Sequence, residues 1–326
     1  MIQLITEGVP PFNLSDPLTL IFFFFTFAFG ASFGSFTNVL IHRLPLDMSV
    51  AYPPSACPQC QRPIRWYENI PILSYLFLRG RCAGCGVSIS SQYPIIELAL
   101  GVWSTALATR YLWPLFGRPE RWAADPSILT VDALTWLWFT AFACALVAIT
   151  LIDLRYTFVP DEISINGVWL ALIGGFFLSR PQPLDHFWGA LVGYSVIVVI
   201  RVVGFWVYRR EAMGLGDAKL LAMIGGFLGW KALPLILFGA ASQGLIAAVL
   251  ALTYTRVTGR ANLLTLTSDE LDERFGEEDL YEDQQVMLVM PFGPFLCLAA
   301  FEVLTFGEAT LWTLPAQALS ALTGAA

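Results

Sequence analysis

The sequence "EAMGLGDAKLLAMIGGFLGW", residues 211–230, is an apolar, helix-forming run that carries one carboxylate, Asp217, beside Gly214 and Gly216. The 13 residues that follow Asp217 in this run would form only about 20 Å of helix, less than the roughly 30 Å hydrocarbon core of a bilayer. We therefore predict that the helix begins near Ala212 and that Asp217 lies below the membrane surface. An ionisable side chain inside a membrane is costly and by default indicates function.

The rest of the chain has the composition of a membrane protein. Of its 326 residues, 56% are hydrophobic and 13% are charged, whereas soluble domains carry about 25% charged residues. We predict an all-α polytopic membrane protein with about eight transmembrane helices. The expected spans lie near residues 18–40, 92–112, 133–152, 163–179, 187–208, 212–230, 232–254 and 286–306.

The basic residues predict the orientation of these spans. If the N-terminus is outside, twelve Lys and Arg residues fall on one side of the membrane and five on the other, with Arg201 inside a span. The positive-inside rule makes the richer side cytoplasmic. No Lys or Arg precedes Arg43, so we interpret the first span as a retained helix rather than a cleavable signal peptide.

A polar insert, residues 42–91, separates the first two spans and contains two C-x2-C pairs 21 residues apart: Cys57, Cys60, Cys82 and Cys85. Two such turns can surround one Zn²⁺ with four thiolates, at a spacing close to that of zinc ribbons. Two disulfides are the alternative, which a reducing cytosol disfavours. Because four thiolates leave no open coordination position, we predict a structural zinc in a zinc-ribbon-like insert.

A second membrane acid, Asp153, closes the third span, on the same predicted face as Asp217. Taken singly, Asp153 is explained as an interfacial charge beside Arg155, and Asp217 as a helix cap. Taken together, two facing carboxylates can share one proton, activate water for attack on an amide carbonyl and protonate the leaving amine. Gly214 and Gly216, which lack Cβ atoms, would let a substrate strand lie against the backbone.

Six ordered motifs resemble the bacterial prepilin peptidases, also called type IV leader peptidases. They are "GSFTNVLIHRLP" (34–45), "CPQC", "NIPILSYLFLRGRCAGCGVSISSQYPIIE" (69–97), "IDLRYTFVPDEIS", "GLGDAKLLAMIGGFLGW" and "PFGPFL" (291–296). The resemblance implies an eight-helix GxGD intramembrane aspartic peptidase of the bacterial inner membrane. Its substrates would be type IV prepilins and type II secretion pseudopilins, cut after a glycine on the cytoplasmic side. It also implies N-methylation of the new amino terminus with S-adenosylmethionine.

Carried over to this sequence, the resemblance makes Asp153 and Asp217 the catalytic pair, with Asp161 and Lys219 in supporting positions. It connects Gly80, in the "LRGRC" turn, with methyl transfer. The implied organisation is a transmembrane helix (1–41), the zinc-binding insert (42–91) and a peptidase core (92–326). We expect the lipid bilayer and pilin precursors as partners, and no nucleic acid. The sequence leaves the oligomeric state open, with a homodimer as one option.

An acidic loop, residues 268–283, departs from the family pattern, in which this connection is short and often basic. It holds nine acidic residues and one Arg, so the chain without it would have a net charge of +1 instead of −7. Such a run is a solvated loop or a surface for a basic partner such as a leader peptide. Two functional alternatives also remain: a related GxGD peptidase with other substrates, and a non-catalytic membrane scaffold or transporter built around a zinc ribbon.

Overall fold

The computed structural model describes residues 13, 15–116, 125–178, 183–209, 213–258, 265–267, 286–288 and 291–307. Within these ranges eight helices of 14 or more residues follow one another along the chain. They are α1 (Pro17–Arg43), α2 (Gln92–Tyr111), α3 (Pro126–Tyr156), α4 (Asp161–Phe177), α5 (Pro183–Tyr208), α6 (Leu215–Leu228), α7 (Leu233–Thr258) and α8 (Gly293–Phe306).

The remaining described elements are short. Three 3-10 helices (Leu44–Leu46, Trp66–Asn69, Trp230–Ala232) and two short α-helices (Leu73–Phe77, Trp113–Phe116) connect the long ones. Two three-residue strands, β1 (Thr265–Thr267) and β2 (Val286–Leu288), pair antiparallel with Thr265 opposite Leu288. The acidic loop 268–283 between them lies outside the described residues.

The predicted all-α membrane architecture is confirmed, because each long helix overlaps one predicted span. Four helical segments in the described part of the chain are long and apolar enough to cross a membrane: Pro17–Leu46, Pro126–Tyr156, Pro183–Val207 and Trp230–Thr258. Two predicted boundaries are wrong. The last helix begins at Gly293 rather than at residue 286, where β2 begins. The helix expected to begin near Ala212 begins at Leu215, after the non-helical Met213 and Gly214.

The two longest helices begin in the same way, with an Asp followed by a Pro. The Asp16 carboxylate accepts a hydrogen bond from the Leu18 N–H at the start of α1, and Asp125 accepts one from Ser127 at the start of α3. A side-chain oxygen at this position satisfies a backbone N–H that has no partner within the helix. Proline fits the first helical position, where no N–H is needed.

Glycines allow close approach of two helix pairs. A Cβ atom on Gly34 of α1 would lie 2.6 Å from the Glu97 Cα of α2. A Cβ on Gly189 of α5 would collide with the Gly225 carbonyl of α6. Small residues at such contacts let helix backbones pack directly, which is how helices associate where lipid removes the hydrophobic driving force.

Stacked aromatic rings join α3 to α6. Phe142 and Phe227 lie with their ring centroids 4.3 Å apart and their planes 13° from parallel. The Trp138 ring covers Phe227 from one turn earlier on α3, at 4.5 Å. Phe142 and Phe227 are fully buried, so the two rings join α3 to α6, whose main packing partners are α4 and α5.

The chain divides after Trp230 into two compact units. The first contains α1–α6 and the insert, and therefore every predicted site residue. In the second, α7 packs on α8, and Gln243 donates a hydrogen bond of 2.8 Å to the Glu302 carboxylate. A polar pair of this kind ties two apolar helices together at a single level.

Candidate active site and cysteine cluster

The two cysteine pairs of the insert sit in turns with matching backbone hydrogen bonds. In the first turn the Cys57 N–H donates to the Arg62 carbonyl and the Gln61 N–H donates to the Cys57 carbonyl. In the second turn the Cys82 N–H donates to the Val87 carbonyl and the Gly86 N–H donates to the Cys82 carbonyl. Gln61 and Gly86 take left-handed backbone conformations, with φ of 57° and 73°. The C-x2-C spacing therefore folds into the same turn twice.

These turns gather the four thiols into one cluster. The Sγ atoms of Cys57, Cys60, Cys82 and Cys85 all lie within 4.8 Å of one another, and those of Cys57 and Cys85 are 3.8 Å apart. Tetrahedral Zn–S bonds of 2.3 Å would separate the sulfurs by about 3.8 Å. Backbone N–H groups of Cys85 and Gly84 lower the pKa of the Cys82 thiol to about 6. A hydrogen bond from the Val87 N–H lowers the pKa of the Cys85 thiol, but burial and the neighbouring thiols raise it overall to about 11. A metal ion would favour the thiolate form of all four. The cluster is therefore suited to hold a metal ion.

Charged side chains fix the polypeptide on either side of the cluster. The buried Arg43, at the end of α1, donates hydrogen bonds to the carbonyls of Ser49, Val50 and Pro53. Arg62 forms a bidentate ion pair with Glu68, and N–H of Arg65 also donates to that carboxylate. The Arg43 contacts therefore hold residues 49–53 against the end of α1, and the Arg62–Glu68 pair stabilises the insert internally.

Asp153 lies in the last turn of α3 and is buried, with 5% of its surface exposed. Its carbonyl accepts a hydrogen bond from the N–H of Thr157, which ends the helix in a left-handed conformation at φ 54°. The chain then passes through Val159 and Pro160 and enters α4. Asp153 is thus at the point where the chain reverses between two packed helices.

Asp217 lies in the first turn of α6 and is half-buried. Gly214 is the residue before the helix, and a Cβ atom there would lie 3.8 Å from an oxygen of the Asp217 carboxylate. A Cβ on Gly216 would lie 3.2 Å from Val159, so Gly216 packs against the loop that follows Asp153. A side chain at either position would therefore alter the immediate surroundings of the acid.

The two aspartates occupy the same level of the helix bundle. Val159 contacts Gly216 at one end, and Phe142 stacks on Phe227 farther along, so α3 and α6 run antiparallel. Eleven residues of α3 from Phe142 to Asp153 cover about 16 Å, and ten residues of α6 between Asp217 and Phe227 cover about 15 Å. We call this level, with Asp153 and Asp217, the aspartate end of the helices.

Asp161 and Lys219 also meet at the aspartate end. The Lys219 ammonium lies 2.6 Å and 2.8 Å from the two carboxylate oxygens of Asp161. Asp161 is the first residue of α4, and Lys219 is in the first turns of α6. The ion pair therefore joins the two helix starts beside Asp217.

Gly80 stands at a left-handed position of the insert, with φ of 65°. A Cβ atom there would lie 2.9 Å from the ring of Tyr75. Any other residue would be strained by its backbone conformation and would also push Tyr75 aside.

Comparison with known proteins assigns the family. Residues 28–111 match the Bacterial Peptidase A24 N-terminal domain, and residues 140–251 match the Type IV leader peptidase family. A protein named "Prepilin leader peptidase/N-methyltransferase" from Myxococcus xanthus is 33% identical, covering 93% of this chain and 96% of its own. This chain belongs to the type IV leader peptidase family.

Other relatives in the family carry the same name. The protein from Aeromonas hydrophila is 32% identical over 93% of this chain and 97% of its own length, and that from Klebsiella pneumoniae is 37% identical over 64% and 86%. No solved structure is recognisably similar to this chain. Within the family match, residues 28–111 hold the cysteine cluster and Gly80, and residues 140–251 hold the ion pair and both aspartates.

Proposed function

We propose that the protein removes the leader peptides of type IV prepilins and type II secretion pseudopilins and then N-methylates the new amino terminus. Membership of the type IV leader peptidase family supports this function, as do the curated relatives named for both activities. The observation that carries the peptidase assignment is the aspartate end, where α3 and α6 hold Asp153 and Asp217 at one level.

The chemistry requires no nucleophilic side chain. Two carboxylates close to one another cannot both ionise easily, so the pair holds one proton. The ionised aspartate takes a proton from water, which attacks the carbonyl carbon of the scissile amide. The protonated aspartate donates to the developing oxyanion, and its proton then passes to the leaving amine. That amine is the new terminus on which methylation would act.

We assign Zn²⁺ to Cys57, Cys60, Cys82 and Cys85 in a structural role, supported by the close grouping of their thiols. Four thiolate ligands close the coordination sphere, so the metal would organise the insert and take no part in hydrolysis. S-adenosylmethionine would supply the methyl group. Gly80 would preserve the position of Tyr75 for that second reaction.

We place the aspartate end and the insert on the cytoplasmic side of the inner membrane, with the N-terminus outside. The excess of Lys and Arg on that side supports this orientation. A pilin precursor would leave its charged leader in the cytosol while its apolar helix remains among the membrane helices. The scissile bond would then lie at the membrane boundary, where both aspartates are expected.

The test uses purified full-length protein in detergent, a prepilin substrate and labelled S-adenosylmethionine, with cleavage and methyl transfer measured separately. Removing a general acid or base costs about 10²- to 10⁴-fold, so Asp153→Asn and Asp217→Asn should each reduce cleavage by at least about 100-fold. A pre-cleaved pilin should still be methylated by both variants. Asp125→Asn is the matched control, because it makes the same change on α3 about 42 Å away and Asn caps helices equally well.

Full cleavage by Asp153→Asn would remove the two-aspartate mechanism. Absence of cleavage by the wild-type protein, together with normal pilus assembly by Asp153→Asn in cells, would favour the non-catalytic scaffold. A wild-type protein that cuts other membrane peptides but no prepilin would instead favour the related peptidase with different substrates.

A further inference from the structure

A cavity of about 380 Å³ lies between the insert and the adjoining ends of α1 and α2. Its wall includes the polar and aromatic side chains of Asn69, Ser74, Tyr75, Ser90, Tyr93 and Glu97. His42 and Arg62 also line it, and Arg62 is paired with Glu68. Small-molecule sites are concave, occupy about 300–1,000 Å³ and combine apolar surface with a few placed polar groups. Two of the clustered cysteines, Cys57 and Cys82, form one side of the cavity, but four thiolates bound to one metal ion would leave the rest of this space unused.

A buried acid stands in the wall of the cavity. Glu97 of α2 is only 6% exposed, and its Oε2 atom accepts a hydrogen bond of 2.7 Å from the N–H of Ile72. The Ser35 side chain lies beside the same carboxylate. Both neighbours are neutral, and a buried carboxylate is stabilised best by an opposite charge. The position therefore suits a cationic ligand.

The contact with Glu97 holds a strained residue in place. Ile72 has φ 61° and ψ −51°, and a positive φ is unfavourable for a β-branched residue. Strain of this kind is retained mainly where surrounding contacts enforce it, and it concentrates at ligand and active sites. The strained backbone N–H is the group that orients the Glu97 carboxylate.

The cavity adjoins the aspartate end. Arg155, two residues beyond Asp153, donates a hydrogen bond to the side chain of Gln92. Gln92 is the first residue of α2 and is followed by Tyr93, which lines the cavity. An amino terminus released near Asp153 would therefore emerge close to this wall.

We propose that this cavity is the binding site of S-adenosylmethionine. Glu97 is the counter-charge of its sulfonium, and the rings of Tyr75 and Tyr93 pack beside that cation. The inference rests on the proposed methyltransferase function and extends it to a site. Aromatic faces and carboxylates both attract a sulfonium cation.

Methyl transfer changes the charge that Glu97 faces. The lone pair of the uncharged amine attacks the methyl carbon as the carbon–sulfur bond breaks. The bonding electrons stay on sulfur, which becomes a neutral thioether, and the methylated nitrogen releases one proton to water. Glu97 would therefore favour the charged donor over the spent product, S-adenosylhomocysteine, and promote their exchange.

Calorimetry on the zinc-loaded, full-length protein in detergent tests this site through binding alone. Wild type should bind S-adenosylmethionine more tightly than S-adenosylhomocysteine. Glu97→Gln keeps an oxygen for the Ile72 N–H but loses the charge, so it should weaken binding of the donor by about tenfold or more and that of the product much less. Glu162→Gln, the same change at an exposed position of α4, should alter neither affinity.

A pair of glycine variants tests the wall that Tyr75 forms. Gly80→Ala and Gly86→Ala both place alanine at a left-handed position, but only the first meets a neighbour within 4 Å, the Tyr75 ring. Gly80→Ala should therefore weaken donor binding more than Gly86→Ala does. Zinc content, measured on both, shows whether the insert of each variant is folded, and leader cleavage shows whether the rest of the chain is.

The outcomes separate this inference from the function on which it rests. Donor binding and methyl transfer by wild type, with unchanged binding in Glu97→Gln and Gly80→Ala, would place the donor elsewhere and overturn the inference alone. If Glu97→Gln lowered the affinities for S-adenosylmethionine and S-adenosylhomocysteine equally, the role of Glu97 as counter-charge of the sulfonium would be overturned. Leader cleavage without any donor binding by wild type would overturn the proposed methylation and this site together.

Discussion

In the cysteine insert, functional side chains are positioned by two tight turns, each held by backbone hydrogen bonds between residues four or five apart. At the aspartate end, Asp153 and Asp217 are 64 positions apart in the sequence, and they are brought to one level by the packing of α6 on α4 and α5 and by its ring contact with α3. The structure of the insert therefore depends on these local hydrogen bonds and on the metal ion that we assign to its four cysteines. The aspartate end depends on helix packing over a longer distance.

Metal removal should have the largest effect and should act on the insert alone. Structural zinc sites contribute about 10–16 kcal/mol to folding of small domains, so chelation or Cys60→Ser should unfold residues 42–91. We expect methyl transfer to fall more than about 100-fold and leader cleavage to fall less than about tenfold. Metal analysis, limited proteolysis of the insert and the two separate activity assays would measure this.

Cys297→Ser supplies the matched control, because this cysteine is buried in α8, far along the chain from the cluster. It should leave the zinc content unchanged. If chelation abolished cleavage as completely as methyl transfer, the two regions would not be independent, and the contrast drawn between them would fail.

Weakening the contact between Phe142 and Phe227 should instead lower leader cleavage and leave the zinc content of the insert unchanged. Phe227→Ala removes the ring that contacts Phe142 and Trp138, and core Phe→Ala changes cost about 3–5 kcal/mol in soluble proteins. In a bilayer the packing part of this cost remains. We expect about 3 kcal/mol lower stability in detergent denaturation, a clear loss of cleavage and unchanged zinc content.

The exposed ring of Phe176 provides the control for Phe227→Ala. Phe176→Ala on α4 removes the same group from a position 77% exposed and should change stability by less than about 0.5 kcal/mol. Equal effects of the two variants would mean that the contact between Phe142 and Phe227 does not help to set the level of the aspartates.

The same contrast explains what could be predicted from the sequence. The C-x2-C spacing encodes its own turns, so the grouping of Cys57, Cys60, Cys82 and Cys85 followed directly from local pattern. Placing Asp153 and Asp217 on one face followed from counting spans and basic residues. Their common level depends on the packing of α6 on α4 and α5 and on the contact of Phe142 with Phe227, which no local pattern specifies.

Two errors at helix starts have a physical cause. The start of α6 was placed near Ala212 because a straight helix should span the bilayer, yet α6 has 14 residues and a length of about 21 Å. A helix this short can lie in the membrane because its neighbours bury most of it between Ala218 and Phe227, so it need not cross the bilayer as a lipid-exposed span. At residue 286 apolar composition suited a helix and a strand equally, and the pairing of Val286 with Thr267 decided for the strand.

Glu97 was missed although the sequence contained the signal. It lies in "YPIIELALG", residues 93–101, inside a predicted span, and an acid within a span is by default a functional hypothesis. The same argument had identified Asp217. The proximity of Glu97 to Ile72 and Tyr75 depends on how the insert folds back over α2, which spacing alone does not reveal.

The smallest expected effect concerns the ion pair of Lys219 with Asp161, which lies at the aspartate end but is largely exposed. Exposed ion pairs contribute about 0–1 kcal/mol, so Lys219→Met and Asp161→Asn should each lower cleavage by no more than about fivefold. If the pair acts only by joining α4 to α6, the double variant should be no worse than either single variant, since both remove one interaction. High salt should reduce wild-type cleavage toward the same level. A much larger loss in Lys219→Met than in Asp161→Asn would show instead that Lys219 acts on the aspartates or on the substrate, and the aspartate end would then depend on a local charge as well as on packing.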